Sequence, residues 1–262
     1  MRPDASAWHW DVEALVLVPA LALAYFLATR GRQVERWRVA AFAASLVLIA
    51  VVSVTPIQTV ALYYLLSAHL LQNVVLAEWA PALFVLGLPP FVAAALARLP
   101  LARALTWPPA ALGLWLVVYF VWHLPGPYDA ALRHQSTLLH LEHASYFATG
   151  CLMWWPALQG APWHLRPAAR AMYLFAAFML ASPIGLLLAL VPDPIYDWYE
   201  DGPGLWGLSP LTDQQIGGAA MSLEQAFVFF AAFTFFFLRA LASEERGESL
   251  KRDASRTSRP GA

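Results

Sequence analysis

Apolar runs long enough to cross a bilayer recur along this chain, and they limit it to one kind of fold. They cover Val12–Thr29, Val39–Val54, the segment from Gln58 through Pro81, Pro109–Trp122, Ser136–Trp155, Ala171–Val191 and Gln215–Leu238. A transmembrane helix needs roughly 20 predominantly apolar residues. In hydrocarbon every backbone polar group must find a partner within the chain, so runs of this kind are helical. Hydrophobic residues make up 60% of the sequence and charged ones 13%, outside the range of soluble domains. The expected fold is all-α, a polytopic membrane protein with seven transmembrane helices. One membrane domain covers residues 1–242. A charged, Ser- and Arg-rich tail over residues 243–262 is expected to be disordered.

The segment between Pro81 and Leu99 fits this scheme least well. It is apolar but interrupted by Gly87 and Pro89-Pro90. It is expected to complete a helix kinked at Pro81 and then to lie along the interface. An eighth span is the alternative, and the basic residues argue against it. With seven spans, 14 of the 16 Lys and Arg residues fall on one side, including Arg30, Arg32, Arg36, Arg38, Arg98, Arg103, Arg166, Arg170 and Arg239. Only Arg2 and Arg133 fall on the other, with Asp193, Asp197, Glu200 and Asp201. The positive-inside rule then puts the N-terminus outside and the C-terminus in the cytoplasm, as for a multi-pass protein of the cell inner (plasma) membrane. Asp4, Asp11 and Glu13 precede the first run where a cleavable signal would carry basic residues, so that run is expected to stay as a helix. A net charge of −1 argues against a nucleic-acid partner. Cys151 is the only cysteine, which excludes an intrachain disulfide.

Polar residues inside these spans are the candidates for function, because ionisable groups in a bilayer are costly. The sequence His140-Leu-Glu142-His143 places two histidines at i and i+3 on one helix face. Tyr146 and Gly150 continue the stripe. With N-outside topology, His69, His123, His140 and His143 all fall in the outer half of the membrane. Imidazoles on adjoining helices can ligate a metal or a haem. The plainer reading makes each of them a hydrogen-bonded packing residue. Gln72 and Asn73 share the face of His69 and are better interhelical hydrogen-bonders than ligands. His9, His134 and His164 are read as surface histidines. Glu78, Glu142 and Glu224 lie in or near spans without a deep Lys or Arg, so each needs a proton, a donor or a cation. Cys151, Met153 and Met221 offer soft sulfur, which favours Cu(I), but such residues are also common gap-fillers.

Several ordered motifs then point to a family. They are His69-Leu-Leu-Gln72-Asn73, Ala80-Pro81, Leu86-Gly87-Leu-Pro89, Trp122-His123-Leu-Pro125, Tyr128-Asp129, His140-Leu-Glu142-His143, Trp154-Trp155-Pro156 and Asp213-Gln214-Gln215 with Gly217-Gly218 and Met221. Between about Ala61 and Leu238 the chain resembles the seven-helix CtaG family of cytochrome c oxidase assembly factors. The resemblance implies a non-enzymatic protein that helps mature a haem–copper oxidase. It implies copper as the bound metal, held by His69, His123, His140 and His143, and an oxidase subunit as partner. Gln72, Asn73, Glu142, Asp213, Gln214 and Met221 would form the surrounding shell. The chain departs from the pattern at Asn73, where the family usually has a second histidine. It departs again at Ser222-Leu-Glu224, which replaces a Trp- and Pro-containing segment. The alternatives are a haem-binding membrane redox protein and a small ion transporter with the acids as its path.

Overall fold

The computed structural model describes residues 3–257, with side chains left out for Glu13 and for residues 247–257. It is all-helical, with no strand among the described residues. The helices are α1 (Val12–Thr29), α2 (Arg36–Val54), α3 (Pro56–Tyr63), α4 (Leu66–Val74), α5 (Ala80–Gly87), α6 (Pro90–Leu96), α7 (Pro100–Leu105), α8 (Pro108–Trp122), α9 (Pro125–Arg133), α10 (His140–Leu158), α11 (Pro167–Leu190), α12 (Asp197–Glu200) and α13 (Pro210–Thr257). Two π-helical turns, Val75–Trp79 and Gln135–Leu139, interrupt this series. Helix α13 runs on through residues 243–257, where composition points to a disordered tail. Residues 258–262 of that tail lie outside the described part.

Length and composition single out fewer spans than the seven expected. Among the described residues four helical stretches are long and apolar enough to cross a membrane: Arg36–Val54, Leu66–Gly87, Pro167–Leu190 and Pro210–Arg246. Helices α8 and α9, bent by 73° at the break around His123, make a fifth if they are one span. The apolar part of α1 is shorter, Ala14–Thr29. Helix α10 has 19 residues, but its His, Glu, Ser and Thr side chains dilute its apolar character. The same polar residues that make α10 interesting keep it out of the set.

The third apolar segment is the most broken. Helix α3 ends at Tyr63, and Leu65 is extended with φ −131° and ψ 123°. Helix α4 restarts at Leu66 because Asp213 of α13 receives its first amides. The carboxylate accepts from the Leu66 N–H at 2.6 Å and from the Ser67 N–H at 3.3 Å. These N–H groups have no partner within their own helix, and an anion belongs at this positive end. Pro81 does not end the helix, and the span continues through it to Gly87. Pro81 sits in the first turn of α5, where a missing N–H matters least. The helix stops at Gly87, ahead of Pro89-Pro90. There Arg38 donates to the carbonyls of Leu86 and Leu88, both at 3.0 Å. Helices α6 and α7 each begin with a proline and are too short to span.

Glycines set the closest approaches. A Cβ on Gly150 of α10 would meet the Ala77 carbonyl of the π-turn and stand 2.7 Å from Pro81 Cγ. A Cβ on Gly218 of α13 would lie 2.7 Å from Gly185 O of α11. Without a hydrophobic driving force in lipid, small residues at crossings let backbones pack by van der Waals contact. The crossing at Gly150 fixes α10 against the segment that carries His69.

Candidate metal-binding site

Three of the four candidate histidines meet in one buried region. His69 comes from α4, His143 from α10, and His123 is the C-cap of α8. The rings of His69 and His143 are 6.2 Å apart between centroids, in an edge-on arrangement. Tyr128 of α9 lies between the other pair, 5.0 Å from His69 and 6.4 Å from His123. It reaches this place because α9 folds back across the end of α8.

Hydrogen bonds fix which ring nitrogen of two of these histidines is free. His123 Nδ1 lies 2.7 Å from the carbonyl of Tyr119, one turn back. A carbonyl only accepts, so Nδ1 carries the proton and Nε2 keeps a bare lone pair. Tyr146 OH, 3.2 Å from the same Nδ1, can then only accept from it. At His69, Nδ1 is 2.9 Å from Tyr199 OH, and that hydroxyl donates its own proton to Ala61 O. The hydroxyl therefore accepts from His69 Nδ1–H, which again leaves Nε2 bare. Burial, then the charges of Glu142, Asp213 and Asp129, raise the Tyr199 phenol well above its usual range, so it keeps that proton. The Nε2 atoms of His69, His123 and His143 are all buried without a hydrogen-bond partner. Orphaned buried polar atoms need a reason, and a ring held through Nδ1 with Nε2 exposed is how proteins present imidazole to a metal.

His140 does not join them, despite its spacing from His143. Positions i and i+3 differ by about 60° around a helix. His143 turns inward to His69, while His140 Nε2 faces Asp11 Oδ2 at 3.7 Å. His140 lines a cavity of about 240 Å³ with His9, Asp11 and Gln135. Asp11 also borders a smaller cavity of about 30 Å³ that touches His143. Among the described residues, no three His, Cys, Asp or Glu side chains stand close enough to hold one ion. The set drawn together is thus a histidine pair with a third ring across Tyr128, rather than a closed four-histidine cage.

The expected surrounding shell divides in two. Asn73 donates to Glu142 at 3.0 Å, and both side chains are buried beside the histidines they neighbour in sequence. Asp213 acts at one remove, by capping the helix that carries His69. Gln214 pins the loop before α12, accepting from Ile195 N–H at 2.9 Å and donating to Asp193 O at 3.2 Å. Gln72 turns away, donating to Val52 O and to Gln58. Met221 and Met153 are core residues, and Cys151 lines a separate apolar cavity of about 300 Å³ with Leu99 and Trp155. Sequence reading missed Tyr199, Tyr196, Tyr128 and Asp11. Asp11 carried a signal, a helix N-cap residue just before an apolar run, and its side chain does accept from Ala14 N–H. Tyr199 lies in the four-residue α12 and Tyr196 caps it, an element too short for periodicity to mark an inward side.

Residues 21–243 match the family described as cytochrome c oxidase caa3 assembly factor. The chain belongs to this family. No curated protein and no solved structure matches it. The caa3 assembly-factor match covers all four candidate histidines, Tyr128 and Tyr199, but stops short of His9 and Asp11. A non-catalytic role is the one the family suggests for this chain.

Proposed function

We propose that this caa3 assembly factor binds copper at the His69–His143 pair in the outer half of the membrane, with His123 as a further imidazole across Tyr128, and delivers it to an oxidase subunit. Copper is cargo in this reading. The single observation that supports it is the locked imidazole geometry. His69 and His123 each spend Nδ1–H on a fixed oxygen, so Nε2 is a ready donor with no other use. Imidazole is a good ligand for copper, and a fixed partner at Nδ1 orients the ring and raises its basicity. His140 takes a different part from the one its spacing suggests. With His9 and Asp11 it lines the outer cavity and forms the mouth through which the ion reaches His143. Seven crossings follow if α1, the bent α8–α9 pair and α10 join the four longest helices. The N-terminus is then outside, and the mouth opens on the face where an oxidase subunit matures.

The test is copper per protein, measured on purified wild type and on His69→Gln, His143→Gln and His140→Gln, with oxidase activity of cells carrying each. Gln keeps a hydrogen-bonding side chain but is a poor ligand for a soft metal. His69→Gln and His143→Gln should stay folded and lose copper. His140→Gln should retain copper at equilibrium but load it more slowly. Unchanged copper and unchanged oxidase activity in the first two variants would make these histidines packing residues.

A further inference from the structure

A second group of buried polar atoms lies midway along the span Leu66–Gly87, and the histidine region makes no use of it. Glu78 belongs to the π-turn Val75–Trp79, within the broken span Leu66–Gly87. It is fully buried, where an inner-interface position reaching the head groups is the plainer expectation. Opposite it, Glu224 and Gln225 are consecutive residues of α13. The two segments are joined by two side-chain hydrogen bonds. Gln225 Nε2 donates to Glu78 Oε1 at 2.7 Å, and Trp79 Nε1 donates to Glu224 Oε1. Gln225 Nε2 also donates to Tyr119 OH of α8 at 3.0 Å.

The arrangement is short of protons. Each carboxyl has one oxygen held by an N–H and one left over. Glu78 Oε2, Glu224 Oε2 and Gln225 Oε1 are all buried without a partner. Gln225 is fully buried, its amide lies against Glu78, and both of its N–H groups are spent. Three leftover oxygens therefore gather with no hydrogen bond donated to them, and the Tyr119 O–H, whose oxygen accepts from Gln225, can serve at most one. The titratable groups that face each other here are Glu78, Glu224 and Tyr119. Among the described residues no basic side chain forms an ion pair with either acid. Two ionised carboxylates packed together in hydrocarbon, without a counter-charge, are strongly disfavoured. An intramembrane acid of this kind marks a site for a cation, of which the proton is the smallest.

We propose that Glu78, Glu224 and Gln225 form a proton-binding site at the centre of the bundle, with at least one proton carried on the carboxyl pair. Binding forms one O–H bond on a bare carboxylate oxygen, the proton coming from solvent. It converts an acceptor into a donor among leftover acceptors. The π-turn supports this function by placing Glu78 and Trp79 side by side against α13. Such turns occur often at functional sites.

Infrared spectroscopy of the metal-free protein in lipid nanodiscs tests the proposal. At pH 7 wild type should show the carbonyl stretch of a protonated carboxyl, downshifted in deuterium oxide. In a Glu142→Gln background, which removes the other fully buried acid, the band should persist, and adding Glu78→Gln/Glu224→Gln should abolish it. Replacing choline by sodium should leave the band unchanged. Absence of the band in the Glu142→Gln background, or its survival once the other two replacements are added, would overturn the proposal. Loss of the band on adding sodium would also overturn it, in favour of a metal-ion site. Should the variant with all three replacements fail to fold by circular dichroism, Glu78→Asp and Glu224→Asp decide. A frequency shift in either supports the site, and no shift in both rejects it.

Discussion

The side chain with most influence on the histidine region is not a histidine. The Tyr199 hydroxyl donates a hydrogen bond to Ala61 O and accepts one from His69 Nδ1–H, and so sets the tautomer of the ring. Removing the hydroxyl leaves His69 Nδ1 buried without a partner. Tyr199→Phe should lower copper affinity by about 10–100-fold, the usual effect of losing such a support. The stability change should be small, about 1 kcal/mol. Copper titration and thermal melting of the same samples check both parts, and equal losses in the two would indicate a packing role. Asn73 gives a second expectation at this scale. It donates to Glu142, in the position where the resembled family usually has histidine. Asn73→His adds an imidazole one turn from His69. It should tighten copper binding in the same titration, and a weaker complex would mean that the Asn73–Glu142 bond matters more than the extra ligand.

Among the elements, α4 is the one whose position decides the site, and a distant residue starts it. Asp213 supplies the cap that a local Ser or Asp would normally give. Asp213→Ala should destabilise the protein by about 1–2 kcal/mol, the range for a lost N-cap. It should also loosen the first turn of α4, which His69 follows directly. Hydrogen exchange at Leu66 and Ser67 would report the loosening, and unchanged protection there would remove Asp213 from this role. The crossing of α10 over the π-turn is the other sensitive point. Gly150→Val would drive a side chain into Ala77 and Pro81. Overpacking of that kind costs about 1–3 kcal/mol, and it should part His143 from His69. Lower thermal stability together with lost copper retention is the expected outcome, measured on detergent-purified protein.

For the molecule as a whole, the charge asymmetry makes the sharpest statement. With the proposed seven crossings, 14 of the 16 basic residues would fall on one side and the C-terminus in the cytoplasm. A reporter fused after Leu241 should be active only in the cytoplasm, and one placed in the loop between α11 and α13 only outside. The opposite pattern would turn the histidine region to the inner face and remove the proposed route from the mouth at Asp11. The α11–α13 loop matters for a second reason, since it carries Tyr196 and Tyr199 down onto the site. Tyr196 OH donates to His123 O at 2.9 Å. One connection thus touches both ends of the histidine set.

Helical periodicity and hydropathy act over neighbouring residues, so they were legible without coordinates. They gave an all-helical membrane chain, approximate helix bounds, and the presence of polar residues where hydrocarbon should be. The ordered motifs gave the family. Spacing along one helix also suggested that His140 and His143 act together, and the structure sets His143 beside His69 and His140 beside Asp11. A 60° difference in direction is enough to send one ring to α4 and the other to α1. The remaining choices belong to the tertiary structure because they depend on contacts between distant segments. Asp213 reaches Leu66, Tyr199 reaches His69, and Gln225 reaches Glu78 across 147, 130 and 147 positions of sequence. Only when the helices pack does a lone histidine become a ring with a fixed tautomer, and a glutamate at the edge of an apolar run become a buried acid without a counter-charge.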